Sequence, residues 1–535
     1  MIAAGAAVLA FFLAGFADAR DAVVAKHFMV AAAHPLASDA GYRVLARGGS
    51  AVDAAIAVQL VLGLVEPESS GIGGGAFLLH WSQAEKKLRS YDGRETAPAA
   101  ARADRFVRDG KPMDFMDAVV GGRSVGVPGA LRMLELAHRR HGRLAWRELF
   151  TPAIELAERG FALSPRLHAV LQDETFLRDD VRAREIYYGK AVGSRIVNRE
   201  YADTLKAVAA NGANAFYEGA IAADMVRAVR SHSKPGDLTL ADIKVYRAQE
   251  REPVCGQYRV WRLCSMAPPS SGGVAVLQIL GILERTRFAQ AQPGSAEALH
   301  YFSEAGRLAY ADRARYLGDP DFVSVPLARL LSPRYLTQRA SLIGERAMGR
   351  ALPGDNENGT SHFSIVEQNG DAVAMTTTIE SGFGSRIMVR GFLLNNQLTD
   401  FDFVPGGPNQ VGPRKRPRSS MAPTMVFDAE GRLQLLVGSP GGSAIINYVA
   451  KALVGVLDWQ LDIQQSIELP NFGSRNGPTQ IERSSVYEAL GPALAERGHD
   501  VRLSTLESGL HGIERVPGGW RGGADPRREG VARGD

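Results

Sequence analysis

Two hydrophobic rhythms run along this chain. Apolar positions recurring every three or four residues mark helices, and strict alternation marks strands. His27-Phe28-Met29-Val30-Ala31-Ala32-Ala33 reads as a short strand ending at the His34-Pro35 turn, and Ser38 to Ala46 reads as a helix. Ser50-Ala51-Val52-Asp53 carries a capping pattern, with Ser50 accepting from the backbone and Asp53 near the helix N-terminus. The helix it starts, Ala54 to Val65, is apolar on nearly every face, which predicts burial on all sides. A strand-like run follows over Ala76 to Trp81. From Pro128 to Arg230 the pattern is mainly helical. Pro128 suits a first helical position, and Leu131, Leu134 and Ala137 share a face. A further helix starts in Leu238 to Ile243, an apolar one covers Val274 to Leu283, and Ser295 is placed to cap another over Ala296 to Tyr316.

The last third of the chain is strand-rich. A polar run, Pro353 to Asn358, precedes Gly359-Thr360-Ser361-His362-Phe363-Ser364, which alternates like a strand. A second strand, Ala372 to Ile379, follows the turn at Gln368 to Asp371. The run Gly391 to Leu394 reads as an apolar strand leading into a polar cluster over 395–400. Gln434 to Val437 is another strand, ending in Gly438-Ser439-Pro440-Gly441-Gly442-Ser443 ahead of a helix over Ala444 to Leu457. No internal repeat is visible, and 347–359 is the best break in the chain.

Composition narrows the class. The chain has 535 residues, 45% hydrophobic and 22% charged, as in an ordinary globular protein. Its 58 glycines cluster in pairs and triplets, which suggests close backbone approaches. Net charge is only +4, so a pI near 9.0 does not argue for nucleic acid. The basic run Arg414-Lys415-Arg416-Pro417-Arg418 reads better as a loop packed against acidic groups than as a polyanion patch. Residues Ile2 to Phe16 are nearly all apolar, with Ala17-Asp18-Ala19 giving small residues where a signal peptidase reads. No basic residue precedes that core. The expectation is a signal peptide over 1–19 and a periplasmic or secreted product, with an uncleaved anchor as the alternative. The two cysteines, Cys255 and Cys264, would face each other across a hairpin turning at Arg259-Val260, and an oxidising compartment would let them form a disulfide.

The chemistry-bearing stretches are few. Gly71-Ile72-Gly73-Gly74-Gly75-Ala76 imitates a dinucleotide fingerprint, but a helix precedes it and a strand follows, the reverse of what that site needs. Close approach of backbone to another element, or to a ligand, is the better account. Arg94, in Asp92-Gly93-Arg94-Glu95, either pairs with its acidic neighbours at the surface or holds a carboxylate in its planar fork. The glycines of 438–443 stand between a strand and a helix, where backbone N–H groups can form an oxyanion site. Gly359-Thr360 lies in a polar loop before a strand pair, a place where self-cleavage would expose an N-terminal threonine. No zinc spacing occurs, and no metal or organic cofactor is implied.

Taken in order, seven segments resemble the γ-glutamyltransferases of the N-terminal-nucleophile hydrolases: Gly71 to Gly75, Asp92 to Glu95, Pro268 to Gly273, Thr360 to Ser364, Leu394 to Gln397, Arg416 to Met421 and Gly438 to Gly442. The resemblance spans about His34 to Arg528. It implies an α+β fold, a four-layer αββα sandwich built from both halves of one precursor. Cleavage at Gly359-Thr360 would leave a large subunit, 20–359, and a small catalytic subunit, 360–535, as a heterodimer. The resemblance makes Thr360 the processing residue and nucleophile, with Thr378 hydrogen-bonding it and Gly441 and Gly442 forming the oxyanion hole. Arg94 would bind a substrate α-carboxylate with Ser419 and Ser420, and Asp400 the α-ammonium with Glu380 and Gln397 nearby. The implied donor is a γ-glutamyl compound such as glutathione, and the acceptor is an amino acid, a peptide or water. Nucleic acid is not an expected partner.

Three departures stand out. Ser361 replaces a threonine found in many members, Glu380 stands where others carry asparagine, and Asp402 to Pro417 is short where some members have a lid. The short segment suggests an open site. Two other readings remain: a glutaryl-type (cephalosporin) acylase on the same fold, and an exported solute-binding protein that never processes.

Overall fold

A computed structural model describes residues 20–348 and 360–535. The apolar leader and Gly359 lie outside the described residues, so the signal-peptide reading and one side of the cleavage bond do too.

Fourteen strands build two large sheets. In chain order they are β1 (Val23–Ala25), β2 (Met29–Ala32), β3 (Gly75–Ser82), β4 (Lys87–Gly93), β5 (Gln249–Arg251), β6 (Val254–Tyr258), β7 (Trp261–Ser265), β8 (Ser361–Val366), β9 (Ala372–Thr378), β10 (Thr424–Phe427), β11 (Leu433–Gly438), β12 (His511–Val516), β13 (Gly519–Ala524) and β14 (Val531–Gly534). One seven-stranded sheet runs β14-β2-β8-β9-β3-β4-β5 and the other β1-β13-β12-β11-β10-β7-β6, with every pairing antiparallel.

Side chains sort into three apolar layers because neighbours on a strand point to opposite faces. From β8 and β9, Phe363, Ile365, Val373 and Met375 join the helices on the outer side of the first sheet. Val366, Ala372 and Ala374 instead meet Met425, Leu436 and Ile513 between the sheets. From β11, Leu435 and Val437 pack outward against the second helical layer. The result is helix, sheet, sheet, helix: the four-layer αββα sandwich that the resemblance implied.

The helices form for local reasons. The capping box is present at Ser50 and Asp53, and the helix α1 (Ala51–Val65) is buried at all but one of its positions. Each large aliphatic side chain so buried stabilises the layer by roughly 1.5–3 kcal/mol relative to exposure. In α2 (Ala130–His141), Leu131, Leu134 and Ala137 are buried, but Gly129 is the N-cap and Pro128 lies outside. The assignment of Pro128 to the first turn is therefore corrected. Further along come α3 (Gly272–Leu283), apolar but for Gln278, and α4 (Ala296–Tyr316), capped by Ser295. The last long helix is α5 (Ile445–Leu457). The expected strand at 391–394 shrinks to Phe392–Leu393, paired only with Met388–Val389 and outside both large sheets.

Two further expectations concern close contacts. A Cβ built on Gly73 would lie 2.1 Å from the Leu393 carbonyl oxygen, and one on Gly74 2.0 Å from that of Thr378. The glycine-rich stretch is thus a backbone-on-backbone crossing that admits no side chain. Cys255 and Cys264 are in register on β6 and β7 and form a disulfide, with Arg259 in the turn at a φ of 53°.

Candidate active site

The strand order delivers the site. β8 lies between β2 and β9, so strands from the first part of the chain flank the pair that follows residue 359. Thr360 immediately precedes β8, and Thr378 ends β9. The Thr360 hydroxyl donates to Thr378 Oγ1 at 3.4 Å, and Thr378 Oγ1 also accepts from the Glu380 N–H at 2.7 Å. Glu380 leaves the strand at a φ of 79°, a left-handed conformation that costs a non-glycine residue about 1–3 kcal/mol. The cross-connections hold it there: Asn396 Nδ2 donates to its carboxylate, and Thr399 Oγ1 does so at 3.4 Å.

Asn395 organises the polar cluster. Its side chain donates to the Gly73 and Gly126 carbonyls at 2.8 and 2.9 Å and accepts from the N–H groups of Gly126 and Gln397. A short 3₁₀ turn, Gln397–Asp400, follows and points Asp400 at Arg94. Asp400 Oδ2 accepts from Gln397 Nε2 at 2.6 Å and from Arg94 Nη2. Arg94 is buried, which rules out its surface reading. Its Nε donates to the Pro417 carbonyl at 3.1 Å and its Nη2 to that of Arg418 at 3.0 Å. The two groups assigned to opposite ends of a substrate thus form an ion pair with each other.

Ser419 and Ser420 complete the wall. Ser419 Oγ accepts from the Met421 N–H at 3.1 Å, and Ser420 Oγ accepts from Arg313 Nη2 at 2.8 Å. A hydroxyl whose oxygen already accepts is oriented to donate its proton, which suits a carboxylate. Gly441 and Gly442 have φ of 127° and 53°, and the turn they begin runs into α5. Thr360, Thr378, Arg94, Glu380, Gln397, Asp400, Ser419, Ser420 and Gly442 line one pocket of about 20 Å³, with Met421 and Ile445. Gly441 lies instead on the wall of a neighbouring cavity of about 600 Å³.

The short segment over 402–417 packs through Phe403 and Val411, with Phe401 before it, against Ala97, Phe106 and Met113. The basic run behaves as read: Arg416 faces Asp92 at 3.4 Å and Arg418 faces Asp402 at 3.1 Å.

Three residues escaped the sequence reading. Arg528, buried and near the C-terminus, donates to the Thr360 carbonyl at 3.0 Å. Arg313, on α4, holds Ser420 and also donates to Ser271 Oγ at 2.8 Å. Glu95 is fully buried behind Arg94, its Oε2 3.8 Å from Nη1, and neither of its oxygens has a hydrogen-bond partner among the described residues. Burial pushes its carboxyl up to about 8 against the pull of Arg94. Only Glu95 carried a signal, its place beside Arg94; arginines in a polar turn or a helix read as surface charge.

A profile described as Gamma-glutamyltranspeptidase matches residues 37–534. The chain is 36% identical to a glutathione hydrolase proenzyme of Bacillus subtilis over 96% of its length and 92% of the relative's. It is also 36% identical to an acylase ACY 1 proenzyme of a Pseudomonas strain, over 93% and 91% of the two chains. A crystal structure of cephalosporin acylase from Bacillus halodurans superposes with a TM-score of 0.87 at 27% identity, covering 97% of this chain and 98% of that one.

Proposed function

The chain belongs to the gamma-glutamyltranspeptidase family of hydrolases and transferases, and from that premise we propose that it is an exported, self-processing γ-glutamyltransferase and glutathione hydrolase. One observation carries the reading: residues from 94, 360, 378, 397, 400, 419 and 442 share the wall of a single small pocket. An arginine, an aspartate and two hydroxyls beside a threonine match a head group bearing both a carboxylate and an ammonium. The ion pair between Arg94 and Asp400 supports this. A zwitterionic head exchanges that one pair for two, whereas a purely anionic head leaves Asp400 buried opposite a second negative charge.

In this reading the precursor first cuts itself. The Thr360 hydroxyl attacks the Gly359 carbonyl, the C–N bond breaks to give an ester and free the Thr360 α-amine, and water then cleaves the ester to release the Gly359 carboxylate and restore the hydroxyl. That amine, with an ordinary pKa near ~8, serves as the base for its own hydroxyl. Thr360 Oγ1 then attacks the γ-carbonyl of the donor, Gly441 and Gly442 carry the oxyanion, and the leaving amine takes the proton. Arg528 holds the Thr360 carbonyl and with it the direction of the nucleophile. The interleaving of β8 and β9 with β2 and β3 would keep the two fragments together as a heterodimer after the cut.

Denaturing electrophoresis with intact mass tests processing: two fragments are expected, the smaller starting at Thr360. A chain that stays whole on prolonged incubation contradicts this reading and favours an unprocessed binding protein. The second reading, a glutaryl-type acylase, has the fold likeness to cephalosporin acylase in its favour. Parallel assays with γ-glutamyl- and glutaryl-p-nitroanilide separate the two. Faster turnover of the glutaryl compound would reverse the assignment.

A further inference from the structure

Helix α4 reaches both ends of the small pocket from behind. It carries Tyr310 and Arg313, three residues apart and therefore on one face. The buried Tyr310 hydroxyl donates to the Ser443 carbonyl, one residue beyond the glycines assigned to the oxyanion. A second group grips the same turn, Arg475 Nη1 donating to Ser443 Oγ. One turn further along α4 the guanidinium of Arg313 forks. Its Nη2 donates to Ser420 Oγ and its Nε to Ser271 Oγ, each at 2.8 Å. Ser271 Oγ passes that support on by donating to the Ser419 carbonyl at 2.5 Å. One helix thus holds the turn that would meet the reacting carbonyl and the two serines that would meet the head group's carboxylate.

The helix is firmly mounted. Ala298 to Tyr310 is buried except at Tyr301. Asp312, between the two gripping residues, accepts from Gln278 Nε2 of α3 and from the Tyr335 hydroxyl, both at 2.9 Å. Near the end of α4, Arg418 Nη1 donates to the Arg313 and Leu317 carbonyls at 3.4 and 3.3 Å, while the Arg418 carbonyl accepts from Arg94. Backbone hydrogen bonds hold two residues three apart on an α-helix at about 4.5 Å along its axis. Ser419, Ser420 and Ser443 stand outside the strands and long helices and have no such fixed spacing of their own. Groups supported from a helix are placed more precisely than groups left to loops.

Resting on the functional reading above, we propose that Tyr310 and Arg313 are positioning residues that select the donor's chain length, with α4 as the spacer that fixes how far the oxyanion turn stands from the carboxylate-binding serines. A γ-glutamyl donor has three carbons between its α-carboxylate and the reacting carbonyl, a β-aspartyl donor two and a δ-(α-aminoadipyl) donor four. With the carboxylate held at Ser419 and Ser420, each methylene lost or gained moves the carbonyl by about 1 Å relative to Thr360 Oγ1 and the oxyanion glycines. A misplacement on that scale costs about 10²-fold in rate. Neither Tyr310 nor Arg313 meets the donor; each acts through a group that does.

The test measures kcat and KM for the γ-glutamyl, β-aspartyl and δ-(α-aminoadipyl) p-nitroanilides. The wild-type protein is expected to favour the γ-glutamyl compound in kcat/KM by about 10²-fold over either homologue. Tyr310→Phe removes one hydroxyl and keeps the ring. It should lower kcat for the γ-glutamyl donor about tenfold at unchanged KM and slow the aminoadipyl donor less, so the preference narrows to about tenfold. Arg313→Lys keeps the charge and loses the fork. It should raise KM for the γ-glutamyl donor about tenfold at nearly unchanged kcat and narrow the preference from the other end. A ratio between donors is read within one enzyme, and a general loss of structure does not move it. Equal kcat/KM for the three donors in the wild type overturns the proposal. So does a Tyr310→Phe variant that slows all three by one factor or changes KM alone, or an Arg313→Lys variant that keeps the wild-type ratio. A wild-type protein that releases no p-nitroaniline from any of the three removes the functional reading itself, whereas release without regard to length removes only the role of α4.

Discussion

Two cavities flank Gly441 and Gly442, one of about 20 Å³ and one of about 600 Å³, and they support similar residue types differently. In the small one each charged or hydroxyl group is steadied by a neighbour. Gln397 holds Asp400, Arg313 holds Ser420, and two backbone carbonyls hold Arg94. Such groups are already in place when a ligand arrives, so they discriminate by charge and shape. In the large one Glu507 is solvent-exposed, and the Arg166–Glu68 pair leaves polar atoms over. The two walls differ in the degree of support around similar side chains.

The comparison breaks completely if the nucleophile is removed. Thr360→Ala should leave one uncut chain and reduce turnover on the order of 10⁴-fold or more, read by electrophoresis and initial rates. Two fragments from that variant would mean that another residue performs the cut. Next in size is Asp400→Asn. It should raise the KM for a γ-glutamyl donor by about 10²-fold through loss of a buried charge partner, while the glutaryl analogue is spared. Equal losses on both substrates would show that Asp400 holds the fold of the pocket and does not read the ammonium.

A smaller effect follows from Glu95, whose carboxyl sits at about 8. An acid raised in the folded state contributes stability that is fully present below the ordinary carboxylate range and is lost as pH rises through about 8. In the same upper window its new charge, 3.8 Å from Arg94, competes with the donor's carboxylate. The donor KM should climb above pH 8 by a factor of about three to ten. Glu95→Gln should flatten that limb, and an unchanged pH profile would remove Glu95 from the account. The smallest effect on either cavity is that of the disulfide. Cys255→Ser with Cys264→Ser should leave both KM values alone and cost about 2–3 kcal/mol of stability, the scale for a short closed loop, measured by denaturant unfolding.

Much of this was legible before any coordinates. The caps at Ser50 and Ser295, the all-apolar α1, and the Cys255–Cys264 hairpin depend on residues a few positions apart, and local patterns report them. The residues named from the family resemblance, Gly441 apart, line the same pocket. Less legible were distances across the fold. The packing of the 402–417 segment could not be read, because a short loop says nothing of what it packs against, and Phe403 stacks on Phe106 almost three hundred positions away.

By itself the sequence determined the helices, the strand pair after residue 360, the hairpin and the order of the motifs. Each of these follows from periodicity, capping or turn chemistry acting within a few residues. Only the tertiary structure decided that Arg528 supports Thr360, that Arg313 supports Ser420, that Glu95 is stripped of water beside Arg94, and that a second cavity opens at Gly441. Those facts depend on strand order, in which β8 sits between β2 and β9 and β14 lies beside β2. Desolvation and convergence are properties of what surrounds a residue in space, and no local pattern encodes them.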